Sequence, residues 1–179
     1  MYGNVYTLDG LGLVCFNVVM KKLFILLFFI TGFSSSQTWG ADFVKGFAAY
    51  ESGDYATALK EWTPLAEQGN SSAQNNLGSM YDDGEGVIQD YKTALKWFTL
   101  AAEQGHADAQ FNLSVKFALG KGVIEDKVYA HMWANIARSN EQKKASKLLD
   151  IIVKRMTPSQ IEKAQDLARE CVKKNYKGC

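Results

Sequence analysis

Apolar residues recur along the chain at helical spacing, in blocks separated by glycine. Ala73, Leu77, Met80 and Tyr81 fall at i, i+4, i+7 and i+8, one stripe of an α-helix. Gly84 and Gly86 end that stripe. Asp90 then stands where a carboxylate can accept from the free N–H groups of a new helix. Ala94, Trp97, Phe98 and Ala101 form the second stripe, and Gly105 closes it. The whole unit repeats: Asp54–Gln74 and Asp90–Gln110 are identical at 13 of 21 positions at an offset of 36 residues. Leu77, Gly84, Gly86, Val87, Ile88, Asp90, Ala94, Trp97 and Ala101 return at the same offset as Leu113, Gly120, Gly122, Val123, Ile124, Asp126, Ala130, Trp133 and Ala137. Such a period predicts stacked helical hairpins, an all-α fold, with units at 41–72, 73–108 and 109–138.

The flanking stretches fit the same reading. Asp42–Glu51 is a first helix with Phe43, Gly46, Phe47 and Tyr50 as its apolar stripe. Pro64 falls inside the next helix and is expected to bend it near residue 60. Beyond Arg138 the period stops, and residues 139–179 read as two capping helices and a tail. The first spans Glu141–Arg155, with Ala145, Leu148, Leu149, Ile152 and Met156 on one face. Thr157-Pro158-Ser159-Gln160 is a strong start for the second: an N-cap, a proline at N1 and a capping box. That helix aligns Ile161, Ala164, Leu167, Ala168, Cys171 and Val172. Trp62, Trp97, Phe98 and Trp133 all sit at helical spacing and read as core, so truncation of Trp97 is expected to cost about 3–5 kcal/mol.

The run LGSMYDDGEGVIQDYKTALKWFTLAAEQGHADAQ resembles the Sel-one-like repeat (SLR), a relative of the tetratricopeptide repeat. Residues 73–109 follow that motif at nearly every position, and the resemblance extends over about 41–138. The third copy departs from it, with Ser114 for Gly78 and Phe117 for Tyr81. The resemblance implies a short right-handed α-solenoid of helix-turn-helix repeats that binds a protein or peptide. It also implies which flank does so. Asn75, Ser79 and Asp82, and at the next offset Phe111, Val115 and Ala118, match the positions that line the concave groove of such solenoids. Some small exported members of the family are linked to β-lactam binding or hydrolysis. Here no serine has lysine three positions on, and the cysteine pairs that staple each repeat of that subgroup are missing.

The amino-terminal segment changes the picture. Met20-Lys21-Lys22, then the apolar run Leu23–Ile30, then Ser34–Thr38 have the layout of a secretory signal peptide ending at Gly40. The apolar run is far shorter than the ~20 residues that span a bilayer. Met20–Gly40 is therefore expected to send the chain to the periplasm or outside the cell. Any membrane contact would run through that segment if it stays uncleaved. Residues 1–19 read as an upstream mis-called start, or as an extension in which all 40 residues form the leader. Cleavage would leave only Cys171 and Cys179, eight residues apart, and an oxidising compartment would let them pair.

Charge divides the remainder. Residues 41–110 carry a net −7 and residues 111–179 a net +7. Solvated helix faces are the bland explanation; a basic carboxy-terminal surface that meets an acidic partner or lipid headgroups is the sharper one. No basic, aromatic-studded groove suggests nucleic acid. Chemistry is sparse. His106 and His131 lie 25 residues apart without metal-ligand spacing, and no nucleophile elbow or phosphate loop is present. The sequence thus reads as a non-enzymatic interaction module without cofactor, catalytic residue or metal site. A β-lactam-directed protein and a structural envelope protein are the alternatives.

Overall fold

The computed structural model describes residues 41–179. The readings of 1–19 and of the signal segment 20–40 lie outside the described residues. Eight α-helices and no strand occur among those described: α1 (Phe43–Glu51), α2 (Tyr55–Glu67), α3 (Ser71–Asp83), α4 (Tyr91–Ala102), α5 (Ala107–Leu119), α6 (Lys127–Ser139), α7 (Ala145–Val153) and α8 (Pro158–Lys173). They form an all-α helical-repeat solenoid. From α1 to α7 each helix packs on its neighbour in sequence, and α8 folds back on α6.

Side-chain caps set most of the starts. Asp42, Asp54, Asn70, Asp90 and Asp126 each accept from backbone N–H groups of the first turn, and Thr157 and Gln160 form the capping box of α8. Helices α3 and α5 end at Gly84 and Gly120. The second glycine of each loop has a different duty. Gly86 and Gly122 lie at φ +70° and +77°, where a side chain is strained. A Cβ there would also stand 2.6 Å from Tyr55 Cβ and 2.4 Å from the Tyr91 carbonyl oxygen. Tyr55 and Tyr91 open α2 and α4, so each glycine loop lies directly on the helix start of the preceding hairpin.

Within each hairpin the two helices cross closely, and one aromatic ring fills the crossing. A Cβ on Gly46 would fall 2.5 Å from Trp62, and one on Gly78 would fall 2.6 Å from Phe98. Trp62 and Phe98 occupy the same register and are almost fully buried. The third hairpin reverses the sizes. Ser114 stands in the place of Gly78 and Ala134 in the place of Phe98. The Ser114 hydroxyl donates to the Ala130 carbonyl at 2.6 Å, which satisfies the buried polar atom.

Three expectations need correction. Phe47 is exposed rather than part of the α1 stripe, whose buried residues are Gly46 and Ala49. The apolar positions are therefore spaced by three, with Phe43 leading. Pro64 lies inside α2, which continues to Glu67. Helix α7 begins at Ala145 rather than Glu141, because Glu141 has φ +66° and leaves the helical region. Trp97 is only half-buried, whereas Phe98 beside it is 1% exposed. Its counterpart Trp133 is buried, at the helix that α8 covers.

The energetic consequence follows from that asymmetry. Phe98→Ala removes the ring that fills the α3/α4 crossing and should cost about 3–5 kcal/mol, while Trp97→Ala should cost roughly half as much. Urea unfolding of the two variants checks the order; equal losses would place Trp97 in the core after all.

Candidate protein-interaction surface

A ladder of amides, two of them buried, registers one hairpin on the next. Gln74 Nε2 donates to the Ala66 carbonyl at 2.9 Å, and Gln110 Nε2 repeats this to Ala102 at 3.2 Å. Gln104 in turn donates to Gln74 Oε1 at 2.7 Å, and Asn140 to Gln110 Oε1 at 2.8 Å. The four residues are two pairs related by the 36-residue period. Gln110 is fully buried, so an unpaired amide there would carry its whole desolvation cost.

The six expected contact residues fall into two groups. Asn75 accepts from Asn112 Nδ2 at 3.1 Å, and Asp82 pairs with Lys116. Both are therefore tied to α5. Lys116 is 3% exposed, and its ammonium also lies 5.3 Å from the centre of the Tyr91 ring. Ser79 is half-buried between these two links. On α5, Val115 and Ala118 line an apolar cleft of about 250 Å³ with Leu119, Leu148, Ile151 and Ile152. Leu119 and Ile151 are 58% and 53% exposed at its mouth, with Lys127 and Arg155 on the rim. Phe111 is half-buried and lines none of the main clefts. The structure thus brings Val115 and Ala118 together against α7, and turns Asn75 and Asp82 inward to the stack.

The histidines have duties that spacing alone did not reveal. His106 is the N-cap of α5: its Nδ1 accepts from the Ala109 N–H at 3.4 Å. Asn70 does the same for α3 in the same register, and this shared position was the readable signal. Burial lowers the pKa of His106, against a weaker opposing pull from Asp108. His131 is buried on α6, and its pKa is lowered by burial and then by Arg138. Among the described residues no group of three or more His, Cys, Asp or Glu side chains is arranged to hold a metal ion.

The tail closes the far end. Cys171 and Cys179 stand with their sulfurs 2.12 Å apart. Within that loop Tyr176 packs on Gly105 and meets Asn140 at 3.3 Å, and the Gly178 N–H donates to Glu103 Oε1 at 3.0 Å. The last rung of the amide ladder is therefore covered by the tail.

Comparison with known proteins places this architecture. The Sel1 repeat family matches residues 71–106 and 107–140. The hairpin α1/α2 precedes the match. No curated protein matches the sequence. Among solved structures, a protective antigen present in uropathogenic Escherichia coli strains, displaying an SLR fold, is 27% identical with a TM-score of 0.69. That match covers 73% of this chain and 30% of the antigen. A Sel1 repeat protein from Oxalobacter formigenes is 29% identical with a TM-score of 0.61, over 72% of this chain and 55% of its own. This chain thus spans about a third and about half of the lengths of these two proteins.

Both histidines are held neutral in the fold, so the sign of their pH effect is fixed. Their contribution is complete above the ordinary histidine value of 6.5 and is lost as pH falls through the lowered folded values. Stability should decline as pH falls below about 6.5. His106→Asn copies the Asn70 cap and should remove part of that decline. An identical pH profile in wild type and His106→Asn would show that the cap does not titrate.

Proposed function

We propose that this chain, which carries two Sel1 repeats in an SLR-type solenoid, is a non-enzymatic interaction module that binds another protein or a peptide. Sel1 repeats generally mediate protein–protein interaction. The observation that carries the reading is the open apolar cleft between α5 and α7. Leu119 and Ile151 stand exposed at its mouth beside Val115 and Ala118. Apolar side chains clustered at a cleft mouth and rimmed by cations are a common mark of a docking site. The cleft is small; Arg155 on its rim is paired with Glu125 while Lys127 is in no ion pair among the described residues, which suits an apolar anchor with an acidic neighbour. Export through Met20–Gly40, to the periplasm or beyond, belongs to the same proposal and rests on the layout of that segment.

The test uses the surface rather than the core. Leu119→Ser with Ile151→Ser should leave stability within about 1 kcal/mol, since both side chains are already more than half exposed. Cross-linked partner recovery from an envelope fraction should fall. Unchanged recovery with unchanged stability would remove this cleft as the docking site.

Pairing of Cys171 with Cys179 is part of the exported reading. The loop is short and terminal, so its stabilisation should lie at or below the ~2–4 kcal/mol typical of disulfides and act mainly on the end of α8. Intact mass of the unreduced, denatured protein after thiol alkylation should show neither cysteine labelled. Two labelled thiols would mean that the pair is open in the protein as isolated.

A further inference from the structure

A second cleft, of about 590 Å³, opens among α6, α7 and α8. Three of its residues, His131, Asn135 and Arg138, fall at i, i+4 and i+7 on α6 and form a polar wall. Arg138 Nη2 donates to Asn135 Oδ1 at 2.7 Å. That bond fixes the guanidinium at the cleft and leaves its other donors for a ligand. Lys154, which caps the end of α7, adds a second cation to the lining. Among the described residues neither Arg138 nor Lys154 is in an ion pair. The remaining lining is apolar where Leu149, Val153 and Ile161 meet.

Beneath the polar wall lies an unsatisfied group. His131 is 4% exposed, and its buried Nδ1 has no hydrogen-bond partner. A buried orphan of this kind carries its desolvation cost uncompensated and calls for a reason. It lies on the helix face that carries Arg138, in the lining of the same cleft. This is a feature of a site rather than of a core helix.

We propose that the cleft binds the C-terminal carboxylate of a peptide whose last side chain is apolar. The carboxylate takes the guanidinium of Arg138 as a two-pronged partner, with Lys154 alongside. The last side chain rests on Leu149, Val153 and Ile161. A chain terminus offers a carboxylate and an apolar side chain from one Cα, which is the pairing this lining presents. Asp150 also borders the cleft. Its charge opposes a dianion such as phosphate, and it can accept from a peptide N–H. Asn135 and Gln165 supply amides for the next peptide group. This site is separate from the cleft between α5 and α7 and does not depend on export.

The ligand's charge has a built-in reporter. Arg138 helps hold His131 neutral. A carboxylate placed on Arg138 offsets that charge and should raise the His131 pKa. His131 and His106 are the only two histidines, so their imidazole proton signals separate the site from a control.

The experiment titrates the purified protein with N-acetyl-Ala-Ala-Leu as the free acid, with the same peptide as its C-terminal amide, and with inorganic phosphate. The free acid should shift the His131 signal saturably and raise its pKa while His106 stays put. The amide and phosphate should bind roughly tenfold or more weakly, the usual loss on removing a charge-assisted pair. Arg138→Gln lies on the surface and should fold normally, yet lose a similar factor for the free acid. Val153→Ser should weaken the leucine peptide more than one ending in glycine. Equal binding of acid and amide, full affinity in Arg138→Gln, phosphate binding as well as the free acid, or an unmoved His131 signal at millimolar peptide would each overturn the proposal.

Discussion

The solenoid depends on a helix crossing in which only one of the two partners has a side chain. At Gly46/Trp62 and Gly78/Phe98 the glycine lets the helices approach, and the ring fills what remains. Neither half of such a pair tolerates change alone. A methyl on the glycine meets the ring; a smaller ring leaves a void between two helices that cannot close further. The third hairpin keeps the geometry by exchanging both partners, Ser114 with Ala134, and the serine finds a hydrogen bond. The departure from the repeat motif at Ser114 is thus one half of a compensated pair.

A crossing that rigid makes each hairpin a unit, but it leaves a second apolar face to cover. Ala58, Ala66, Ala73, Ala94, Ala101 and Ala109 are fully or almost fully buried, so neighbouring hairpins approach to the limit that alanine allows. Apolar contacts of this kind say little about register, because a shifted stack would bury similar area. The amide ladder supplies what they lack. Gln74 and Gln110 are satisfied only where Ala66, Gln104, Ala102 and Asn140 stand in the right rows. A slipped stack would leave buried amides unpaired. Asn140 and Tyr176 then show how the stack stops: the tail meets the final rung where another hairpin would have followed.

Much of this was legible from spacing because repeats print the same contacts at the same interval. The hairpins, the aspartate caps and the capping box of α8 could be read from single positions and their copies. What failed were distinctions within a stripe. Trp97 and Phe98 are both apolar neighbours at helical spacing; the angle at which α3 and α4 cross selects Phe98 as the core ring. Phe47 fits the first stripe by pattern and is exposed all the same. The contact flank was legible only as a row of positions. Asn75 and Asp82 proved to be bonded to the next unit, because α5 carries Asn112 and Lys116 at the matching height. The cleft among α6, α7 and α8 was not legible, since it exists only once α8 turns back on α6, and no local pattern encodes that contact.

The charge division takes on a different meaning once these contacts are placed. A stack that is acidic at one end and basic at the other suggests a broad electrostatic surface. At the boundary, however, the charges are used internally: Lys116 is buried against Asp82, and Lys116 and Lys121 both lie over the Tyr91 ring. Those cations are committed to holding the second hairpin to the third. Among the cations that border clefts further on are Arg138 of α6, Lys154 at the end of α7 and the rim residue Lys127. Each borders a cleft with an apolar wall. Low dielectric beside a fixed charge strengthens its pull on an anion well beyond what an open surface gives. Both proposed sites therefore lie toward the carboxy-terminal cap. The repeats make a registered platform, and the helices that end it provide clefts where charge and apolar surface meet.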